Sequence, residues 1–152
     1  GFGLGSAEAL MSETPIIVNV TGGLQDQCGF KKEDGSYLTA DDYVELGSNH
    51  RGKYKEHGEW VKPVFPSNIS LQGSPLTPYI FDDRCSYEDA GDAIKYWYNK
   101  THTQREECGK KGKEYLVASN MTGKILSETF INNIENTFNN WKPREKYTLE
   151  VV

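Results

Sequence analysis

The segment GFGLGSAEALMSETPIIVNVTGG, residues 1–23, places a short helix before an apolar strand. A glycine-rich turn opens the segment and leads into a predicted helix over residues 6–11. Residues 15–20, Pro-Ile-Ile-Val-Asn-Val, are short and almost wholly apolar, which is typical of a parallel strand covered on both faces. The turn Thr21-Gly22-Gly23 then closes the strand. This order of elements predicts an α/β fold.

Composition limits the classes of protein to which the chain belongs. Its 152 residues suffice for one hydrophobic core without disulfide bonds. It has 22 acidic and 17 basic residues, a net charge of -5, and the two signs are interspersed, which disfavours nucleic-acid binding. No stretch approaches the ~20 apolar residues of a transmembrane helix. Three widely spaced cysteines without a C-x-x-C pattern favour a reducing, cytoplasmic location.

The middle of the chain, residues 27–77, lacks the regular periodicity of the first segment. It is rich in Gly, Pro, Ser, Asn and charged residues, with a turn signal at Asp34-Gly35. A structureless loop of this length is unusual inside a compact domain. We therefore expect an inserted, loop-rich subdomain or an ordered lid that lies outside the central sheet.

Regular patterns return in the last part of the chain. Ser86 with Asp89 three residues later predicts a helix start, and apolar residues then recur at helical spacing. The predicted segments are a buried strand at Tyr79-Ile80-Phe81, a helix from Ser86 to Lys100, helices over residues 103–118 and from Thr122 to Trp141, and an extended tail over residues 146–152.

The glycine turn is the strongest chemical signal. Glycines before a helix allow backbone N–H groups to approach an anion, and the helix dipole favours negative charge there. A phosphate would fit such a turn, and the Glu8 carboxylate on the following helix would accept hydrogen bonds from vicinal hydroxyls. Each feature also has an ordinary structural interpretation. A glycine-rich turn by itself is typical of a tight connection between a strand and a helix, and an isolated glutamate on a helix is usually a solvent-exposed residue.

The combination is more specific, because it resembles the donor-site motif of retaining GT-B glycosyltransferases. In that family two glutamates flank a Gly-Phe-Gly-Leu turn, matched here by Gly1-Phe2-Gly3-Leu4 and Glu8. A Thr-Pro-led strand and a Gly22-Gly23-Leu24 turn follow in the family's order. The resemblance implies a Rossmann-like partial parallel sheet from a GT-B C-terminal domain, with the insertion at about residues 27–77.

The resemblance resumes after residue 78 and covers about two thirds of the chain in all. Residues 79–83 resemble the family's last strand, residues 86–100 its next helix, and Arg105-x-x-x-Gly109-x-x-Gly112 a further helix. The first glutamate, the cations that neutralise the diphosphate and the acceptor-binding N-terminal half would all precede Gly1. We therefore expect a chain cut within the motif, which would not transfer sugar by itself.

Roles carry over at three positions. Gly3 and Leu4 match residues whose amides contact the donor, and Glu8 matches the glutamate that holds the ribose; the catalytic residues stay unassigned. The resemblance implies transfer of a hexose with retention from a nucleotide-sugar donor to an unknown glycan, protein or lipid acceptor, with no cofactor and no metal. An insertion of this kind fits phage- or virus-encoded members, which would act in the host cytoplasm.

Two alternatives of other classes stay open, a non-catalytic nucleotide- or glycan-binding module and a structural protein that reuses the fold. A basic stretch offers a separate phosphate or glycan site, although a polar loop with an inward-packed Trp60 is the commoner interpretation. Its members are His50, Arg51, Lys53, Tyr54, Lys55 and His57. A metal site at the two histidines lacks a third ligand.

Cys28, Cys85 and Cys108 have no adjacent base, which favours buried structural thiols over nucleophiles. Four Asn-x-Ser/Thr sequons invite a secretory interpretation, which the position of Asn19 in an apolar strand disfavours. The sequons begin at Asn19, Asn68, Asn99 and Asn120.

Overall fold

The protein is described here by a computed structural model that covers residues 1–144, apart from the side chain at residue 40. The predicted tail, residues 146–152, lies outside the described residues. The chain divides into two compact units, Gly1–Ser119 and Asn120–Val152. The fold is mixed α/β, with a small parallel sheet and helices.

The first unit contains four helices, four strands and two short 3-10 turns. In chain order these are α1 Leu4–Met11, β1 Ile16–Asn19, the 3-10 turns Gly22–Leu24 and Asp26–Cys28, α2 Ala40–Leu46, β2 Val61–Val64, β3 Asn68–Ser74, β4 Thr77–Arg84, α3 Tyr87–Tyr98 and α4 His102–Ala118.

β1 and β2 form a two-stranded parallel sheet in which Ile16 pairs with Val61 and Asn19 with Val64. The prediction that residues 27–77 lie wholly outside the sheet is therefore wrong for β2. Pro63 sits within this strand opposite Val18. A proline is tolerated because each strand of a two-stranded sheet is an edge, so the missing N–H donor breaks no second ladder.

β1 is covered mainly on one face rather than on both. Ile16 and Val18 are buried, whereas the Ile17 side chain between them is 40% exposed. Leu10, Val61 and Leu116 are fully buried and form the core between helix and sheet.

Helix α4 packs closely against α1 and the turn that follows it. A Cβ built on Gly109 would overlap the backbone carbonyl of Glu13. One turn further along α4, a Cβ on Gly112 would lie 2.6 Å from the Leu10 Cδ2 atom and 2.9 Å from the Trp60 Cβ atom. The spacing of the two glycines therefore produces a flat helix face that admits its neighbours.

The strand predicted at Tyr79-Ile80-Phe81 exists, but it is neither buried nor parallel. It belongs to β4, which forms an antiparallel hairpin with β3, and Phe81 pairs with Leu71. Tyr79 is 77% exposed and Phe81 70% exposed. The strand that pairs in parallel with β1 is β2, whereas the resemblance assigned the family's last strand to residues 79–83. A short aromatic run looks the same in a buried strand and in an exposed hairpin.

The three predicted helices of the last part are confirmed. Ser86 caps α3 by accepting a hydrogen bond from the Asp89 backbone N–H at 3.1 Å, and α4 begins after a capping box at Thr101. Within α3, Trp97 is buried and its indole N–H donates to the Ile16 carbonyl. The buried face of α3 therefore covers the parallel sheet.

The second unit contains helix α5, Gly123–Asn140. Thr122 caps its start, and it ends before Trp141, as the Trp-Lys-Pro sequence predicts. Its apolar stripe is exposed, including Phe130 at 65% and Phe138 at 80%. Apolar residues at helical spacing predict packing in a core, and for these two aromatic side chains that prediction is wrong. Across residues 1–144, no helix combines the length and the hydrophobicity required to cross a membrane.

Candidate functional site

The first glycine turn, residues 1–3, sets the start of α1. Gly3 adopts a left-handed conformation, with φ of 82°, and a Cβ at this position would overlap the Leu24 side chain. No side chain caps the helix start. Because the first backbone N–H groups of a helix lack intrahelical acceptors, α1 presents donors for an anion here.

The second glycine turn, Gly22–Leu24, lies against the first. A Cβ built on Gly23 would approach the Gly1 carbonyl oxygen to 2.6 Å. The fully buried Gln27 side chain holds the first turn, since its Nε2 atom donates to the carbonyls of Phe2 at 2.5 Å and Gly3 at 3.1 Å. The structure therefore brings together the two glycine segments that the sequence singled out, next to the carboxyl end of β1.

Leu4 and Glu8 both lie on the accessible surface of α1. Leu4 is 69% exposed, and Glu8 is exposed as well. Within residues 1–144, the Glu8 carboxylate makes no hydrogen bond and no ion pair with another side chain. Its oxygens are therefore available as acceptors for a ligand that approaches this side of the helix.

A third segment, the basic loop of residues 48–57, joins the same end of the sheet. The Gly22 N–H donates to the Ser48 carbonyl at 2.7 Å. Gln25, which is buried, ties the two segments together, because its Nε2 atom donates to the Ser48 carbonyl at 3.0 Å while its Oε1 atom accepts the His50 N–H. These hydrogen bonds therefore fix the start of the basic loop against the second glycine turn.

Asp83 of β4 reaches the same region from the hairpin. Thr21 donates to its carboxylate at 2.7 Å, and the Asn19 Nδ2 atom donates to its carbonyl at 3.0 Å. Burial raises the pKa of Asp83, but the hydrogen bonds donated by Thr21, Asn49 and Ser48 outweigh burial and hold it below its ordinary value. Asp83 is therefore an ionised anchor between the hairpin and the loops.

The charged members of the basic loop divide into two groups. Arg51 and Lys55 line an open cleft of about 490 Å³. Lys53 does not line that cleft and lies over the Tyr54 ring instead, 5.3 Å from its centroid. We call the first feature the cationic cleft; its walls are Asn49, Arg51, Gly52, Lys55, Phe65, Pro66, Ser67, Asn68, Ile69 and Asp83.

The aromatic members of the loop pack inward. Trp60 is buried, stacks on Tyr115 and donates its indole N–H to the Gln27 carbonyl at 2.9 Å. His50 and His57 both contact the ring of Phe30, and burial lowers the pKa of each imidazole. Among residues 1–144, no three His, Cys, Asp or Glu side chains are grouped to hold a metal ion.

The cysteines do not all match the prediction. Cys28 and Cys108 are buried free thiols, as expected, whereas Cys85 is exposed, so the prediction of a buried thiol is wrong there. Burial raises the pKa of both Cys28 and Cys108. Cys85 follows the hairpin directly, where the chain has little cover.

Sequence reasoning missed the side chains that assemble this region, namely Gln25, Gln27 and Asp83. An isolated glutamine belongs to no recognisable motif, and both glutamines act by donating hydrogen bonds to carbonyls that are distant in the sequence. A usable signal did exist for Asn19 and Thr21, because polar residues after a buried parallel strand fall at the carboxyl edge where α/β proteins bind ligands.

Comparisons with family models, with curated proteins and with solved structures find no significant match for this chain.

Proposed function

We propose that the two glycine turns and α1 form part of the nucleotide-sugar site of a retaining GT-B glycosyltransferase, and that the sheet is part of a Rossmann-like C-terminal domain. The observation that carries this proposal is the contact between the turns beside the uncapped start of α1. Motif pieces that are about 20 residues apart thereby become one surface at the carboxyl edge of β1, where α/β proteins place their ligands.

The chemistry follows from the local dipoles. Transfer of a sugar requires stabilisation of the departing diphosphate, which fixed backbone N–H groups supply at a helix start. Gly3 lets the Leu24 side chain of the second turn pack against the helix start, because a Cβ at this position would overlap it. Leu4 supplies the first backbone amide of the helix, and Glu8 accepts hydrogen bonds from the ribose hydroxyls, one turn further along α1.

The remainder of the proposal rests on the resemblance. It includes retention at the anomeric carbon, a hexose as the transferred group, an acceptor of unassigned chemistry and a cytoplasmic location. An N-terminal half of the same enzyme would complete the cleft.

Titration calorimetry with a nucleoside-diphosphate sugar tests the proposal through Glu8. If its carboxylate holds the ribose, Glu8→Ala should cost about 1.5–3 kcal/mol of binding free energy, as expected for hydrogen bonds to a charged group. Glu8→Gln should cost less, because the amide keeps one acceptor oxygen. Glu107→Ala is the matched control, since Glu107 is also an exposed helix carboxylate.

Equal donor affinities in the wild type and all three variants would remove Glu8 from the site and with it the proposal's residue-level support. Donor binding that depends on Glu8 without any sugar transfer by the complete enzyme would favour the non-catalytic binding module instead. Absence of donor binding altogether would favour the structural protein.

A further inference from the structure

Two cations of the basic loop stand without an acidic partner. Within residues 1–144, no carboxylate oxygen lies within 4.0 Å of the Arg51 guanidinium or of the Lys55 ammonium. The chain as a whole carries a net charge of -5. In the first unit Lys111 pairs with Glu59 at 2.7 Å and Lys113 with Glu13 at 2.8 Å, whereas other lysines, such as Lys53 and Lys62, also lack an ion pair within residues 1–144. Arg51 and Lys55 therefore form no ion pair within the described residues, although the chain contains more acidic than basic residues.

A defined turn places both cations on the cationic cleft. The Arg51 N–H donates to the Asn49 Oδ1 atom at 2.8 Å, and the Lys53 N–H donates to the His50 carbonyl at 2.9 Å. Arg51 and Gly52 both adopt left-handed conformations, with φ of 48° and 75°. The Lys55 Nζ atom lies back over this turn, 3.2 Å from the position of a Cβ on Gly52. Arg51 and Lys55 therefore line the cleft from the same turn.

Neutral donors complete the cleft. Asn49, Ser67 and Asn68 line it together with the cations, and amide and hydroxyl groups donate to anionic oxygens. The segment that follows β2 supplies Ser67, so this cleft also opens at the carboxyl edge of the parallel sheet. No residue of α1 or of either glycine turn is among its walls.

Asp83, the acidic residue in the wall of the cleft, forms no ion pair with Arg51 or Lys55. Its carboxylate already accepts a hydrogen bond from Thr21 at 2.7 Å, and Asn49 and Ser48 also lower its pKa and favour the ionised form. Arg51 is near enough for its charge to favour the ionised form of Asp83, yet it makes no ion pair with it. The guanidinium therefore keeps donors for a ligand, and a planar guanidinium suits the geometry of phosphate oxygens.

We propose that the cationic cleft binds a phosphate group, with Arg51 and Lys55 as its principal contacts. The site is separate from the start of α1 and does not depend on Glu8. The phosphate belongs either to the nucleotide-sugar donor or to a second, phosphorylated ligand such as the acceptor.

Inorganic phosphate is the probe for this site, and its binding is followed by amide chemical shifts during titration of the full chain. Shifts should concentrate in residues 49–55 and 67–69. Arg51→Gln and Lys55→Gln should each weaken phosphate binding at least roughly tenfold, because each removes a charge-assisted contact. Lys53→Gln is the matched control, since it removes the same charge from the same loop outside the cleft.

A saturating nucleoside-diphosphate sugar then distinguishes the two sources. Displacement of phosphate assigns the site to the donor, whereas simultaneous binding assigns it to a second ligand; both results support the site. Equal weakening by Lys53→Gln would overturn the proposal, because it would reduce the effect to general charge. Wild-type shifts confined to the start of α1 would overturn it without any variant, even if Arg51→Gln fails to fold. The Glu8 titrations test the proposed donor site at the start of α1, so their result neither supports nor contradicts phosphate binding in the cationic cleft.

Discussion

Gly109 is the position where one added methyl group should damage the fold most clearly. A Cβ there would overlap the carbonyl carbon and oxygen of Glu13, which are backbone atoms that no side-chain rotation moves. Overpacking of this kind costs about 1–3 kcal/mol or more, and alanine regains about 1 kcal/mol over glycine inside a helix. Because the obstacle is rigid, we take the upper end and expect Gly109→Ala to lower the free energy of unfolding by about 2 kcal/mol.

Gly91 in α3 provides the matched control, since nothing lies within 4 Å of a Cβ built on it. Gly91→Ala should therefore stabilise the protein by about 0.5–1 kcal/mol. Urea unfolding followed by the fluorescence of the buried Trp60 and Trp97 measures the difference, which should be about 3 kcal/mol. Equal unfolding midpoints for the two variants would refute the close packing of α4 on the turn after α1.

Two further predictions concern titratable groups. One thiol per chain, that of the exposed Cys85, should react quickly with a chromogenic disulfide reagent, while the buried Cys28 and Cys108 react only on unfolding; a fast reaction in Cys85→Ser would contradict this. Burial lowers the pKa of His50 and His57, so the unfolded chain takes up protons first as the pH falls through the ordinary value of 6.5. Unfolding free energy should therefore decrease on acidification from about pH 7.5 to 5.5, and replacing both histidines by glutamine should flatten that dependence; an unchanged slope would contradict it.

Local signals in the sequence sufficed for most helices, for β1 and for the position of β4 but not its exposure. The caps at Ser86 and Thr122 and the apolar run of β1 act over a few residues, so a single sequence displays them. Thr39 and Asp42 form a capping box before α2 by the same rule, although the irregular composition around them concealed it. The strand β2 escaped because Lys62 and Pro63 interrupt its apolar pattern, and only pairing with β1 makes it a strand.

The assembly of the candidate site depends on contacts that no local pattern contains. Gln27 holds a turn about 25 residues away, and Gln25 holds a loop at a similar distance in the other direction. Asp83 reaches Thr21 across 62 positions. The sequence identifies the glycine turns and the basic loop as separate features. Their position side by side in the fold depends on the hydrogen bonds of these polar side chains.

Packing gives several glycines of the motif a reason to be present that is independent of any ligand. Gly3 is required by its left-handed conformation beside Leu24, and Gly109 and Gly112 are required by the approach of α4 to its neighbours. A protein with this fold and another function would need them equally. Glu8 differs, because it is exposed and no contact within the described residues calls for a carboxylate there. A glycine variant changes folding and binding together, so the glycosyltransferase proposal depends on the donor titration of the Glu8 variants.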